Sequence, residues 1–266
     1  MRPKRAAEPP GPPPTEPGTA LRVAVVLLVA ASGAVETISF TALDHVFAGV
    51  MTSNLALLGM AVGRAEATGV TAAVLALAGF GVGAAAIAWF TRGLGGEGTR
   101  WSPPVLWSLA AEALLLAVGA VTWAALGGAP GPVARDVLQC GAALTMGIQS
   151  GAMVAAGSAA APTTYLTGTL ATYIVKGVRA GRLNRWVSAR LAALMVGAAA
   201  SMAVLRTAPP WAGVLPPVLV VCALLAAGSC RARRVVQWLT APVAVLAASV
   251  SYLVSALTVA TIRHRE

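Results

Sequence analysis

The sequence predicts an all-α polytopic membrane bundle. Its expected core has six spans arranged as two inverted three-helix repeats, each with a broken or re-entrant motif helix, and a seventh, C-terminal span follows. Three observations lead there. Hydrophobic residues make up 58% of the 266-residue chain and charged residues only 11%, with a mean hydropathy of +0.78, too apolar for a soluble domain of this length. The apolar residues gather into runs long enough to cross a bilayer core of about 30 Å, which takes about 20 helical residues. Finally, Met51-Thr52-Ser53-Asn54-Leu55 is nearly repeated 115 positions later as Leu166-Thr167-Gly168-Thr169-Leu170, inside membrane-grade sequence.

Taken in order, residues 1–19 are rich in Pro, Gly and Glu and too poor in apolar residues to fold, so they read as a disordered cytoplasmic tail. A cleaved signal peptide is the weaker reading, because apolar sequence continues through Ser39-Phe40-Thr41-Ala42-Leu43. Spans are expected at 21–43, 68–91, 103–126, 133–156, 187–205, 211–229 and 238–262. Two shorter, more polar segments, 46–63 and 163–180, hold the paired motifs and read either as full crossings or as helices that enter and turn back. Repeat 1 covers 20–127 and repeat 2 covers 128–230, each in the order span, motif segment, span, span; 231–266 holds the additional span. Gly33 lies 19 residues before Thr52 and Gly147 lies 20 before Thr167, a spacing that supports a duplication.

The net charge of +10 comes from Lys and Arg in short clusters between apolar runs, where they orient helices. No basic groove or aromatic stacking platform accompanies them, so nucleic-acid binding is not expected. With the amino terminus inside and the motif segments not crossing, Arg22, then Arg92 and Arg100, then Lys176, Arg179, Arg182 and Arg185, then Arg231, Arg233 and Arg234 fall in the cytoplasm. Three crossings per repeat make the halves antiparallel, as in many secondary transporters. Cys140, Cys222 and Cys230 have neither disulfide-framework nor zinc spacing and read as small buried apolar residues. No metal or cofactor is expected.

Polar residues inside membrane-grade sequence carry the functional expectations, since hydrocarbon satisfies neither side chains nor broken backbone. Glu36, flanked by Gly33 and Thr37, costs about 2.5–3.5 kcal/mol at mid-membrane and so faces a cavity or a partner. It reads either as a proton or cation site or as a neutral acid bonded to a neighbouring helix. Glu112 is a second intramembrane acid without a duplicated counterpart, for which a structural role is favoured. Asp44 and His45 end the first span and read as interfacial caps.

Thr52, Ser53 and Asn54, with Thr163, Thr164, Thr167 and Thr169 in the second half, either line a site or cap broken helices. Gln149 with Ser150 occupies the place that Glu36 holds in the first half, and its amide cannot titrate, which leaves Glu36 the better proton carrier. Gly79, Gly81, Gly83, Gly197 and Ser201 read as close helix-packing positions, and Trp101, Trp107, Trp211 and Trp238 as interfacial anchors.

Gly33-x-x-Glu36, Phe47 through Leu55 with Leu58-Gly59, Met146-Gly147-Ile148-Gln149 and Thr163 through Leu170 resemble the YoaK-like family of bacterial polytopic inner-membrane proteins, a domain-of-unknown-function family. The resemblance covers roughly 22–228 and implies a six-span core in the bacterial cytoplasmic membrane. The family pattern looks like Gly-x-x-Asp and Met-Thr-Gly-Asn, whereas this chain has Glu36 and Ser53 there.

The expected function is a small secondary transporter or permease for a small solute or ion, with a midplane site lined by Glu36, Thr52, Asn54, Gln149, Thr167 and Thr169. The alternative is a non-transporting membrane scaffold or assembly partner. An enzyme is not expected: only His45 and His264 offer a histidine base, no zinc cluster appears, and no phosphate-cradling loop ends in Lys. The expected partners are the lipid bilayer and an unidentified solute, and homo-oligomerisation is left open.

Overall fold

Pro, Gly and Asn punctuate the apolar runs, and helices start and stop where they stand. In the computed structural model, which describes residues 18–93, 100–157, 160–164 and 166–227, α1 covers Thr19–Ala42, α2 Met51–Gly63, α3 Ala67–Phe90 and α4 Pro103–Ala125. They are followed by α5 Pro132–Ala155, α6 Thr167–Ala180, α7 Arg185–Thr207 and α8 Leu215–Ala226. Most of the expected tail, Cys230 and the expected seventh span at 238–262 lie outside the described residues.

Prolines open α4 and α5 at positions where a missing N–H leaves no helical bond unmade. Gly181, at φ 63°, ends α6, and the Asn184 side chain opens α7 by accepting from the Trp186 and Val187 N–H groups. The span expected at 211–229 starts instead as a 3-10 helix over Pro209–Val214. Pro216 and Pro217 have no N–H to offer the carbonyls four residues back, so regular α-geometry begins only at Leu215.

Among the described residues six helical segments are long and apolar enough to cross a membrane: Thr19–Ala42, Ala67–Phe90, Pro103–Ala125, Pro132–Ala155, Arg185–Thr207 and Pro209–Ala226. Their outer faces carry large apolar side chains such as Trp89, Val121 and Met195, exposed by 69%, 66% and 72%. Water would penalise that surface, whereas lipid is its natural solvent. The protein is a multi-pass membrane protein, and its described residues form an all-helical bundle. The motif helices are shorter than the sequence segments that announced them, because the chain stays irregular up to Val50 and Leu166. With 13 residues, α2 is about 20 Å long and falls short of a bilayer core of about 30 Å.

The most extensive packing pairs α3 with α5 and α1 with α7, followed by α1 with α8 and α4 with α5. The first helix of each half is thus held by the second and third long helices of the other. Glycine makes the close pairs. A Cβ on Gly33 would stand 2.2 Å from the Leu194 carbonyl oxygen, and one on Gly197 2.0 Å from that of Ala30. At the α3–α5 crossing, a Cβ on Gly147 would stand 2.2 Å from the Phe80 carbonyl oxygen and one on Gly83 2.3 Å from that of Leu144. In both crossings the backbones touch, which only residues without a side chain permit. Gly81, expected to join this packing, faces open space. Trp101 is buried and Cys222 is exposed, each the reverse of its expected setting.

Candidate functional site

The chain entering each short helix is irregular, and its polar backbone has to be satisfied inside the bundle. In the first half Glu36 does this. Its Oε2 accepts the Ala48 N–H at 2.9 Å and its Oε1 accepts the Gly49 N–H at 2.7 Å. Asn54, fully buried, closes the same loop reciprocally: its Nδ2 donates to the Phe47 carbonyl at 2.6 Å, and its Oδ1 accepts the Phe47 N–H at 2.9 Å. The amide stands in for a strand partner that the loop lacks. In the second half Gln149, also fully buried, donates to Thr163 Oγ1 at 2.7 Å and to Ser32 Oγ at 2.9 Å. Beside it, the Ser150 and Thr164 hydroxyls are hydrogen-bonded to each other.

The two loops touch. A Cβ on Gly49 would lie 3.3 Å from Thr164 Cβ and 2.9 Å from Glu36 Oε1. Beside this contact a cavity of about 1030 Å³ opens between α1, α7 and the beginnings of α2 and α6. Its polar lining comes from Glu36, Thr37, Thr41, Thr52, Thr164 and Thr167, and its apolar lining includes Phe40, Phe47 and Phe80. Each Glu36 oxygen has capacity beyond its single backbone bond. With the threonine hydroxyls it forms an acceptor-rich face against an aromatic wall, where the Phe40 and Phe47 rings stack at 4.8 Å.

Of the residues singled out from sequence, the structure brings Glu36, Thr52, Thr164 and Thr167 to this one cavity. Asn54 and Gln149 are turned inward as loop anchors, Ser53 is not among the lining residues, and Thr169 lines a different cavity. Sequence reasoning overlooked Phe40 and Thr41. The signal was available, since Thr37, Phe40 and Thr41 share one face of α1 with Gly33 and Glu36 at spacings of three and four. Glu112 is fully buried in the core of α4, and neither of its carboxylate oxygens has a hydrogen-bond partner.

At the far end of α1, His45 Nδ1 pairs with the Phe40 carbonyl at 2.9 Å, while Asp44 keeps a buried, unpartnered Oδ2. Burial, and then the nearby Asp136, hold the Asp44 carboxyl above its ordinary range against the opposing pull of Arg135. Among the described residues no group of three or more His, Cys, Asp or Glu is placed to hold a metal ion.

A family model described as "Protein of unknown function (DUF1275)" matches residues 24–228. The chain is 36% identical over 148 residues to the UPF0700 transmembrane protein YoaK of Bacillus subtilis (strain 168), an alignment covering 56% of this chain and 63% of that protein. The match therefore spans less than two thirds of that relative's length. No solved structure matches the chain.

Proposed function

This chain belongs to the DUF1275 family of membrane proteins, and from that premise we propose that it is a small secondary transporter or permease for a small solute or ion in the bacterial cytoplasmic membrane, with its amino terminus inside. The observation that carries the reading is the shared cavity: Thr52 from one motif and Thr167 from the other line a single space of about 1030 Å³, with the Glu36 carboxylate on its wall. Interrupted helices meeting around a membrane-embedded cavity with polar groups on its wall are the arrangement by which transporters of repeated architecture hold cargo.

The inverted repeat belongs to this proposal and has its own support. Gly33, Leu194 and Ala198 form one close crossing and Gly147, Phe80 and Ala84 the other. Gly147 lies 114 positions after Gly33, and Leu194 and Ala198 lie 114 after Phe80 and Ala84, so the same contact recurs with the halves exchanged. We assign the chain no catalytic step. A specific observation favours the alternative, a scaffold: Glu36, Asn54 and Gln149 all serve as loop anchors, which is a structural task.

A thermal-shift screen of the purified full chain against a panel of inorganic ions, amino acids and small organic cations separates the two readings. A transporter site gives a stabilising compound whose effect is lost in Thr52→Val and Thr167→Val, two cavity-lining changes that spare both anchors. Proteoliposome uptake of that compound, lost in the same variants, completes the test. If no compound in the panel shifts the melting temperature, or if the shift survives both substitutions, the midplane site is wrong and the scaffold stands.

A further inference from the structure

Among the described residues Glu36 is the one ionisable side chain lining the midplane cavity, and no Lys, Arg or His joins it. Loop anchoring accounts for two of its hydrogen bonds. An anchor works as well when fully enclosed, as Asn54 and Gln149 are, whereas Glu36 is only partly buried and keeps surface in the lining. Each of its oxygens accepts one N–H and has a further lone pair to offer. The neighbouring hydroxyls carry the same sign. Thr37 donates to the Gly33 carbonyl and Thr41 to that of Thr37, so what either presents to a guest is an oxygen lone pair. Groups of this kind select a guest that brings N–H donors and positive charge.

A bare divalent metal ion does not match the space. Such an ion takes six or more oxygen ligands in a close shell. Here a single carboxylate faces about 1030 Å³, room on the scale that holds small organic molecules. Much of the remaining wall is apolar, with Phe40, Phe47, Phe80, Met51 and Met202 among its residues. The chain itself ties two of the rings to the carboxylate. Phe40 follows Glu36 by four residues on α1, which puts both on one helix face. Phe47 immediately precedes the two residues whose N–H groups Glu36 accepts, and its ring stacks on that of Phe40 at 4.8 Å. A carboxylate beside aromatic rings suits an alkylated ammonium, whose charge meets the oxygens while its hydrocarbon meets the rings.

We propose that the midplane cavity takes a small organic ammonium ion, with its N–H groups on Glu36, Thr37 and Thr41 and its apolar body against Phe40, Phe47 and Phe80. The assignment rests on the transport reading and narrows the cargo to one chemical class. Its rival is a zwitterionic amino acid, because α2 and α6 both begin at this cavity and helix N-termini suit a carboxylate.

Four compounds that share one body and differ in charge separate these guests: 2-phenylethylamine, neutral 2-phenylethanol, 3-phenylpropionate and phenylalanine. Each is titrated at pH 7 against the full chain in phosphatidylcholine nanodiscs, and its dissociation constant is read from the melting temperature. The amine is expected to bind at least about tenfold more tightly than the other three. Glu36→Gln is expected to abolish that preference, leaving amine and alcohol alike. Because Glu36 also anchors the loop, Phe40→Leu supplies a second variant: Phe40 is 38% exposed, and the change keeps an apolar wall while weakening the amine about threefold and the alcohol less. The assignment is overturned if the amine preference survives Glu36→Gln or if Phe40→Leu leaves amine binding unchanged. Equal or tighter binding of any of the other three, still lost in Thr52→Val and Thr167→Val, also overturns it and leaves the transport site standing. If none of the four binds, the ammonium assignment falls, and the transport reading falls with it only when inorganic ions and other amino acids leave the melting temperature unmoved as well.

Discussion

The two helix breaks are secured by contacts of the same kind made with different chemistry. Before α2 a single carboxylate, Glu36, receives the Ala48 and Gly49 N–H groups. Before α6 the amide of Gln149 and the hydroxyl of Ser150 grip Thr163 and Thr164 through their side chains. The second anchor is buried and cannot titrate. The first places an ionisable group on the wall of the cavity. Irregular backbone in a membrane explains why each half needs a polar residue in the last third of its first helix. It does not explain why one of them is an acid, and any charge-dependent behaviour of the cavity therefore originates in the first half.

The broadest way to break the comparison is to attack what the halves share. Valine at Gly197 or at Gly83 drives a side chain into a facing backbone carbonyl at 2.0 Å or 2.3 Å. Each change is expected to cost at least about 3 kcal/mol, read as lost monodisperse protein or a lowered melting temperature in detergent. Comparable losses support equivalent crossings, while tolerance of one alone would show that the halves are not built alike. The next largest effect separates the anchors. Glu36→Ala strands two backbone N–H groups and is expected to cost about 2–4 kcal/mol, whereas Gln149→Ala costs about 1–2 kcal/mol. The Ser32 hydroxyl keeps its 3.2 Å bond to the Leu28 carbonyl when the amide is gone. Denaturation of the two variants side by side checks the order, and a more severe Gln149→Ala would reverse the assignment of the stronger anchor.

The six spans among the described residues were legible because a bilayer imposes a length and a composition that hydropathy records directly. Gly83 and Gly197 were legible too, as small residues that read as close helix-packing positions, whereas Gly33 and Gly147 stood out in the sequence only as markers of the repeat spacing. The direction of individual motif side chains was not legible. Asn54 and Thr52 are near neighbours in a polar run, yet one bonds the Phe47 backbone and the other lines the cavity. Which does which depends on where α2 begins, and that is set by the loop's need for hydrogen bonds, with no periodic pattern to announce it. Thr169 was misplaced by the same uncertainty, since α6 begins at Thr167 and turns the next threonine toward a different cavity, between α6 and α7.

The smallest expected effect sharpens the comparison at its acidic side. The loop before α2 carries a second carboxylate, Asp44, whereas the loop before α6 carries none among the described residues. Burial, and then the neighbouring Asp136, raise the Asp44 carboxyl above its ordinary range, so the folded chain holds this proton more tightly than the unfolded one. Stability from the group is complete at pH below the ordinary carboxylate range and is lost as pH rises through that range and past the folded value. Asp44→Asn removes the ionisation while keeping the shape. The variant is therefore expected to melt slightly above wild type at neutral pH, with the gap closing as pH falls to about 4, in parallel melts of both proteins. A gap of the same size at every pH would mean that Asp44 acts through its contacts, and that Glu36 alone distinguishes the two breaks in charge.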